Sequence, residues 1–207
     1  MSTALVRCSA KAALMLEDGV DTDVIFPARF LLEMEKEGLG EFLFADRRAA
    51  HPTDEAEPFA FPLKGERPEI ILAGDAFGSG SSREHAAWSL SDYGIKAVIA
   101  PSFGEIFASN APRSGLAALR LDARAIAVLA EQVSCGTFAI DLEAKAVIAP
   151  DGTAHAVDLP EQDRLSLING WDQIDMIDAM HGAEIDAFEG RYRKRAPWTV
   201  PAKESFE

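Results

Sequence analysis

With 207 residues, 48% of them apolar and 26% charged, the chain has the composition of an ordinary globular protein and the length for one sizeable core plus an appendage. Its 20 basic and 34 acidic residues leave a net charge of −14, which repels phosphate backbones and excludes nucleic acid as an expected partner. No apolar run approaches the roughly 20 residues that cross a bilayer. Residues 1–11 lack the basic-then-apolar order of a signal peptide, so no membrane association and a cytoplasmic location are expected.

Two cysteines, Cys8 and Cys135, stand far apart. They do not make up the thiolate set of an iron–sulfur cluster, nor a four-ligand zinc site without histidines. They read as reduced, partly buried thiols, and no metal is expected on this chain.

Taken in order, residues 14–30 begin apolar and end in Asp21-Thr22-Asp23-Val24-Ile25-Phe26-Pro27-Ala28-Arg29-Phe30. Pro27 disfavours a continued helix or central strand there and points to a turn or loop. Residues 33–57 are rich in charge and poor in strand signals, so a mobile loop or short helices are expected, closing near Pro58. Ile70-Ile71-Leu72-Ala73 reads as a buried strand, followed by a Gly/Ser loop over residues 74–82. A helix over 83–93 comes next, with Ala86, Leu90 and Tyr93 on one face and Gly94 as its stop. Ala97-Val98-Ile99-Ala100 is a second buried strand, which completes a parallel, right-handed βαβ unit. A short helix is expected over 105–109, a strand over 116–121, a helix over 123–132, and a hairpin pairing 137–141 with 145–148. After Asp151-Gly152 the pattern turns helical, over 160–169 up to Gly170 and again over 183–193, before a tail that starts at Pro197. The expected organisation is a mixed α/β domain over 1–157 and a helical C-terminal extension, 158–207, packed on the same domain.

The most informative stretch is Gly78-Ser79-Gly80-Ser81-Ser82-Arg83-Glu84-His85-Ala86, between a strand's end and a helix's start. Ligands bind at that end of α/β sheets, where free N–H groups and the helix dipole favour an anion. Three readings compete. Ser81 and Glu84 have the spacing of a capping box, which is purely structural. A nucleotide loop would end in Gly-Lys-Ser/Thr or carry a third fingerprint glycine, and both are missing. The third reading is a carboxylate and proton-transfer site, in which Arg83 offers a planar fork to a carboxylate. Capping and catalysis are compatible, because one geometry serves both.

The stretch from Gly78 to Ala86 resembles the signature loop of the aconitase swivelling domain. Two further segments agree in order: the run from Asp21 to Phe30 is similar to the family's opening motif, and Ser102-Phe103-Gly104-Glu105-Ile106-Phe107-Ala108-Ser109-Asn110 to its post-strand helix. The tail over 164–198 is similar to the extension of the longer bacterial isopropylmalate isomerase small subunits. The resemblance implies a swivelling β/β/α fold and a hydro-lyase subunit that dehydrates and rehydrates hydroxy-carboxylic acids. In that subfamily, 2-isopropylmalate and 3-isopropylmalate interconvert through an alkene, a step of leucine biosynthesis. It also implies a large subunit as partner, carrying a 4Fe-4S cluster as Lewis acid, a small dicarboxylate substrate, and no cofactor on this chain.

By the same resemblance, Ser81 matches the base that takes the proton next to a carboxylate. Ser82 and Arg83 match substrate-carboxylate contacts, and Asp23 matches an acidic residue that pairs with a large-subunit histidine. From local sequence alone Asp23 is equally a turn-capping aspartate. Arg29 has two readings, a substrate-carboxylate contact or a neutraliser of Asp21 and Asp23. His85 is expected to pack or hydrogen-bond, and His51, His155 and His181 read as surface or structural. The sequence departs from the subfamily at Ser79, where cysteine is common, at Arg113-Ser114-Gly115, and at Leu31-Leu32-Glu33-Met34, where a Leu-Lys-Arg type is usual. The last loop is expected to affect specificity, and its lost cations keep other diacids open, such as citraconate or dimethylmalate. A non-catalytic anion-binding module is the reading from another class.

Overall fold

The computed structural model describes residues 4–32, 37–50, 61, 66–81 and 83–199. In chain order the strands are β1 (Arg7–Ala10), β2 (Ala12–Met15), β3 (Ile70–Ala73), β4 (Ala97–Ala100), β5 (Ala117–Arg120), β6 (Phe138–Asp141), β7 (Ala146–Ile148) and β8 (Ala154–Ala156). The helices are α1 (Thr22–Ile25), α2 (Ala45–Ala50), α3 (Glu84–Tyr93), α4 (Glu105–Asn110), α5 (Ala123–Ala130), α6 (Glu161–Asn169) and α7 (Gln173–Arg195), with short 3-10 turns between several of them.

Strands β3 and β4 carry only apolar side chains and are buried at every position, which requires cover on both faces. Their alternate residues supply two cores. Ile71, Ala73, Val98 and Ala100 pack toward α3 and the phenylalanines Phe77, Phe103 and Phe107. Ile70, Leu72, Ala97 and Ile99 pack toward Ile126, Leu129, Phe138, Ile140 and Val147. Each fully buried Ile, Leu or Phe contributes about 1.5–3 kcal/mol relative to exposure. The parallel sheet has the order β2-β3-β4-β5 and the antiparallel sheet the order β1-β6-β7-β8. The result is a β/β/α arrangement: helices, parallel sheet, then antiparallel sheet, with α5 packed against β3 and β4 on the face of the parallel sheet away from α3.

The expected βαβ unit is present, with β3 and β4 parallel and Gly94 in the left-handed region ending α3. The hairpin also forms, as β6 and β7, and Gly170 ends α6. Other elements differ from expectation. Residues 7–15 hold two strands separated by Lys11 alone, one in each sheet, because the chain crosses between layers there. Strand β8 extends the antiparallel sheet past residue 152, and its small residues, Ala154 and Ala156, are exposed. The stretch read as a turn around Pro27 contains α1 and a 3-10 turn over Ala28–Phe30. Within 33–57, a 3-10 turn covers Leu39–Phe42 and α2 follows; residues 33–36 and 51–57 lie outside the described residues, as do Pro58 and His51.

Two compact units are present, residues up to Trp171 and residues from Asp172. The second is dominated by α7, 23 residues long and starting ten residues before the expected Ala183. Its start is set by an aspartate-only capping box. The Asp172 carboxylate accepts from the Ile174 and Asp175 N–H groups at 2.8 and 2.9 Å, and the Asp175 carboxylate accepts from the Asp172 N–H at 3.0 Å. Basic Arg193, Lys194 and Arg195 fill the last turn, as the helix dipole favours. No helix among the described residues is long and apolar enough to cross a membrane.

Candidate active site

Every connection leaving the carboxyl ends of β2, β3 and β4 emerges at one edge of the parallel sheet. Three of them interlock there. The loop after β3 is bound on one side to the opening motif: the Gly78 N–H donates to the Val20 carbonyl at 2.7 Å, and the Thr22 N–H to the Ser79 carbonyl at 2.9 Å. On its other side it is bound to the segment after β4, where the Gly104 N–H donates to the Phe77 carbonyl at 2.9 Å. The Ser102 hydroxyl donates to the Asp75 carboxylate at 2.5 Å and accepts from the Ala76 N–H at 3.0 Å. Gly78 has a φ of 72°, and a side chain there would run into the Phe107 ring. A Cβ on Gly104 would in turn strike the Gly78 carbonyl. The three motifs picked out in the sequence therefore meet in space, and two of their glycines are there because main chain and ring approach so closely.

Within this frame Ser81 is exposed. Its carbonyl accepts from the Thr22 hydroxyl at 3.2 Å. The capping box expected from Ser81 and Glu84 does not form. Helix α3 begins at Glu84, its N-cap is Arg83, and no side chain caps it. The reason is backbone geometry: Gly80 takes a φ of 102° and Arg83 is extended at φ −124°, ψ 104°, so Ser81 lies two residues upstream of the cap. Ser81 is thus free of a capping duty. Ser82 lies outside the described residues.

The Arg83 guanidinium, largely buried, pairs with the half-exposed Asp23 carboxylate. Capping of α1 falls to Asp21 instead, whose carboxylate accepts from the Val24 N–H at 2.8 Å. Asp23, two residues on, is left to face Arg83. Arg29 turns elsewhere. It forms a two-pronged ion pair with Asp46 of α2, at 2.5 and 3.0 Å, and stacks over the Phe30 ring at 4.5 Å. The Asp46 bond holds the Arg29 guanidinium above its ordinary pKa, and the Arg29 bond holds the Asp46 carboxyl below its own. Neither Asp21 nor Asp23 is its partner. In the loop that follows, Leu31 is half-buried and Leu32 exposed, while Glu33 and Met34 lie outside the described residues.

His85 packs, as expected: its ring stacks on Phe26 at 5.5 Å and sits 5.0 Å from Trp88. His155 is half-buried and His181 forms a weak pair with Glu184 at 3.6 Å. Of the cysteines, Cys8 is half-buried, and burial pushes its thiol pKa up, with the Glu69 charge adding to it. Cys135 is exposed rather than partly buried, because it sits in a 3-10 turn outside both cores. Among the described residues, no three His, Cys, Asp or Glu side chains are grouped to hold a metal ion. A cavity of about 500 Å³ lies at the same sheet edge on the α5 side, lined by Asp18, Gly74, Asp75, Pro101 and Ile126 among others; neither Ser81 nor Arg83 lines it.

Residues 4–124 match the family model described as the aconitase C-terminal domain. The chain belongs to the aconitase C-terminal domain family. Within it, the chain is 39% identical over 202 residues to the 3-isopropylmalate dehydratase small subunit of Rhodospirillum centenum, covering 96% of this chain and 98% of that one. It is 39% identical over 184 residues to the 3-isopropylmalate dehydratase small subunit of Brucella canis, covering 86% and 90%. The crystal structure of a 3-isopropylmalate dehydratase from Methanocaldococcus jannaschii superposes with a TM-score of 0.65 at 26% identity, over 87% of this chain and 99% of that one.

The hydrogen bonds of the site give weight to residues that the linear sequence does not single out. Thr22, Ser102 and Asp46 carry no chemistry that a linear motif advertises; each matters through a partner distant in sequence. Asp21 had a local signal, an aspartate three residues before Val24 at the start of a helical turn, which is the spacing of an N-cap.

Proposed function

We propose that this chain is the small subunit of a 3-isopropylmalate dehydratase-type hydro-lyase, inactive until a large subunit closes over Ser81 and Arg83. The observation that carries the reading is the exposed Ser81 at the carboxyl edge of the parallel sheet, two residues from a guanidinium that is itself held in place by Asp23. In the reaction, a proton leaves the carbon next to a carboxylate and hydroxide leaves the neighbouring carbon, together one molecule of water, giving an alkene; water then adds back in the other sense. Ser81, as an alkoxide, takes and returns that proton. A free serine hydroxyl is a poor base, so the closed site must stabilise its anion through donors and nearby positive charge. Arg83 and Ser82 hold a carboxylate of the diacid, and Asp23 orients a histidine of the large subunit. Two cysteines and no grouped metal ligands among the described residues do not suit a 4Fe-4S cluster; that cofactor belongs to the proposed large subunit. A cytoplasmic location goes with this reading.

The test is reconstitution. Purified chain mixed with a cluster-bearing large subunit should interconvert 2- and 3-isopropylmalate, and each component alone should not. Turnover by the isolated chain would contradict the proposal.

One observation favours a second substrate. Arg29 is engaged by Asp46, and the loop beyond it begins Leu31-Leu32-Glu33 without a cation, so that arm is poorer in free positive charge than the subfamily's usual Leu-Lys-Arg. A panel with citraconate and dimethylmalate on the reconstituted complex separates the two: a kcat/KM for either that exceeds the isopropylmalate value by tenfold would move the assignment.

A further inference from the structure

Thr22 is 2% exposed, yet it ends in two polar contacts on one loop. Its N–H donates to the Ser79 carbonyl at 2.9 Å and its hydroxyl to the Ser81 carbonyl at 3.2 Å. Between those carbonyls sits Gly80, with a φ of 102°; a Cβ there would lie 3.4 Å from the Thr22 hydroxyl oxygen. Among the described residues, the Thr22 hydroxyl is the one hydrogen-bond donor to the Ser81 main chain. Upstream, the loop is fixed at Phe77, Gly78 and Ser79 by main-chain bonds. Downstream, Arg83 is fixed through its guanidinium. Ser81 is exposed and lies between these anchors.

We propose that Thr22 is a positioning residue for Ser81: its hydroxyl fixes the main chain at Ser81, which sets where the serine oxygen projects from the loop. The inference rests on the reading of Ser81 as the base. A base must sit within a hydrogen bond of the proton it takes, and a displacement near 1 Å costs on the order of 100-fold in rate. Thr22 also begins α1, so the same residue fixes the spacing between Ser81 and Asp23. Without the hydroxyl, the Ser81 carbonyl turns to solvent, which satisfies it at no great cost, but the peptide loses its fixed direction.

The experiment uses the reconstituted two-subunit enzyme with 2-isopropylmalate and compares Thr22→Val, Thr22→Ser and Ser81→Ala. Valine keeps the buried shape and removes the donor; serine keeps the donor. Thr22→Val should lower kcat on the order of 10- to 100-fold with KM unchanged within about twofold. Thr22→Ser should return kcat to within about threefold of the parent. Should the valine variant not assemble with the large subunit, Thr22→Ala takes its place in the same comparison. Ser81→Ala inactive together with Thr22→Val at full kcat would overturn the inference and leave the reading of Ser81 standing. Equal losses in the serine and valine variants would overturn it too, because packing and not the donor would then be at work. A Ser81→Ala enzyme with near-normal turnover removes the base itself, and the role of Thr22 with it.

Discussion

Asp21 and Asp23 are the same residue type two positions apart, and the structure gives them opposite duties. The pair of variants Asp21→Ala and Asp23→Asn therefore separates stability from activity. The Asp21 carboxylate caps α1 through the Val24 N–H at 2.8 Å. Losing such a cap costs about 1 kcal/mol, within a range of about 0.5–2. Asp23 is half-exposed, and asparagine keeps an oxygen to accept from the largely buried Arg83, so exchanging only this solvent-screened charge costs about 0–1 kcal/mol. Against a typical total near 5–15 kcal/mol, the first loss shifts a urea midpoint measurably and the second barely does. Turnover in the reconstituted enzyme should order the variants the other way. Asp23→Asn removes the charge that the proposed histidine partner needs, at a cost on the order of 100-fold or more in kcat, while Asp21→Ala keeps the larger share of its activity. A destabilisation above about 2 kcal/mol for Asp23→Asn would mark the Asp23–Arg83 pair as structural and refute the argument. So would an Asp23→Asn enzyme with normal kcat.

Two further expectations concern the frame. Gly78→Ala pays the left-handed backbone cost, about 1–2 kcal/mol, and forces the Phe107 ring aside, about 1–3 kcal/mol more, whereas Gly94→Ala, at φ 113° with open space around it, carries the backbone cost alone; urea unfolding of both variants checks the difference, and equal values would disprove the clash. Tyr93 is pushed up to about 12, first by burial and against the opposing charges of Arg67 and Arg48. Its folded pKa is raised above the unfolded one, so the contribution is fully present below about pH 10 and fades as pH rises toward about 12; melting temperatures across that window should fall for the parent and fall less for Tyr93→Phe.

What the sequence made legible follows from range. β3, α3, β4 and the β6–β7 hairpin announce themselves in continuous apolar runs, helical spacing and a stopping glycine, all local signals. β1 and β2 do not, because four-residue strands such as Arg7–Ala10 are small and half-exposed and each finds its partner more than 50 residues away. The start of α7 was hidden for a different reason: its cap uses aspartate at both positions, and Met176 is the buried side chain of its first turns, so no apolar stripe marks the beginning. In the site, Ser81, Arg83 and Asp23 stood out by motif, and the structure brings Asp23 against Arg83 and Ser81 against Thr22. The Ser81–Glu84 cap had the right spacing and failed, since spacing carries no knowledge of the backbone turn at Gly80. Arg29 had two candidate partners nearby and took a third, Asp46, which tertiary folding alone delivers.

The electrostatics of the edge bear on the proposed need for a second subunit. A chain of net charge −14 offers a dianion little attraction, and Asp18, Asp21, Asp23 and Asp75 all gather around the loop. Three of these carboxylates are occupied by donors of their own: Asp18 by the Asp75 N–H, Asp21 by the Val24 N–H, and Asp75 by the Ser102 hydroxyl. Neutral donors of that kind stabilise these carboxylates without removing their charge, so they still repel an approaching dianion. Asp23 is different, because its donor is Arg83, the guanidinium proposed to hold a substrate carboxylate. In the free subunit, a diacid approaching Arg83 meets a resident carboxylate already in place. On the proposed reading it prevails when Asp23 gains another cationic partner from the large subunit; among the described residues of this chain, Arg83 is the cation paired with Asp23.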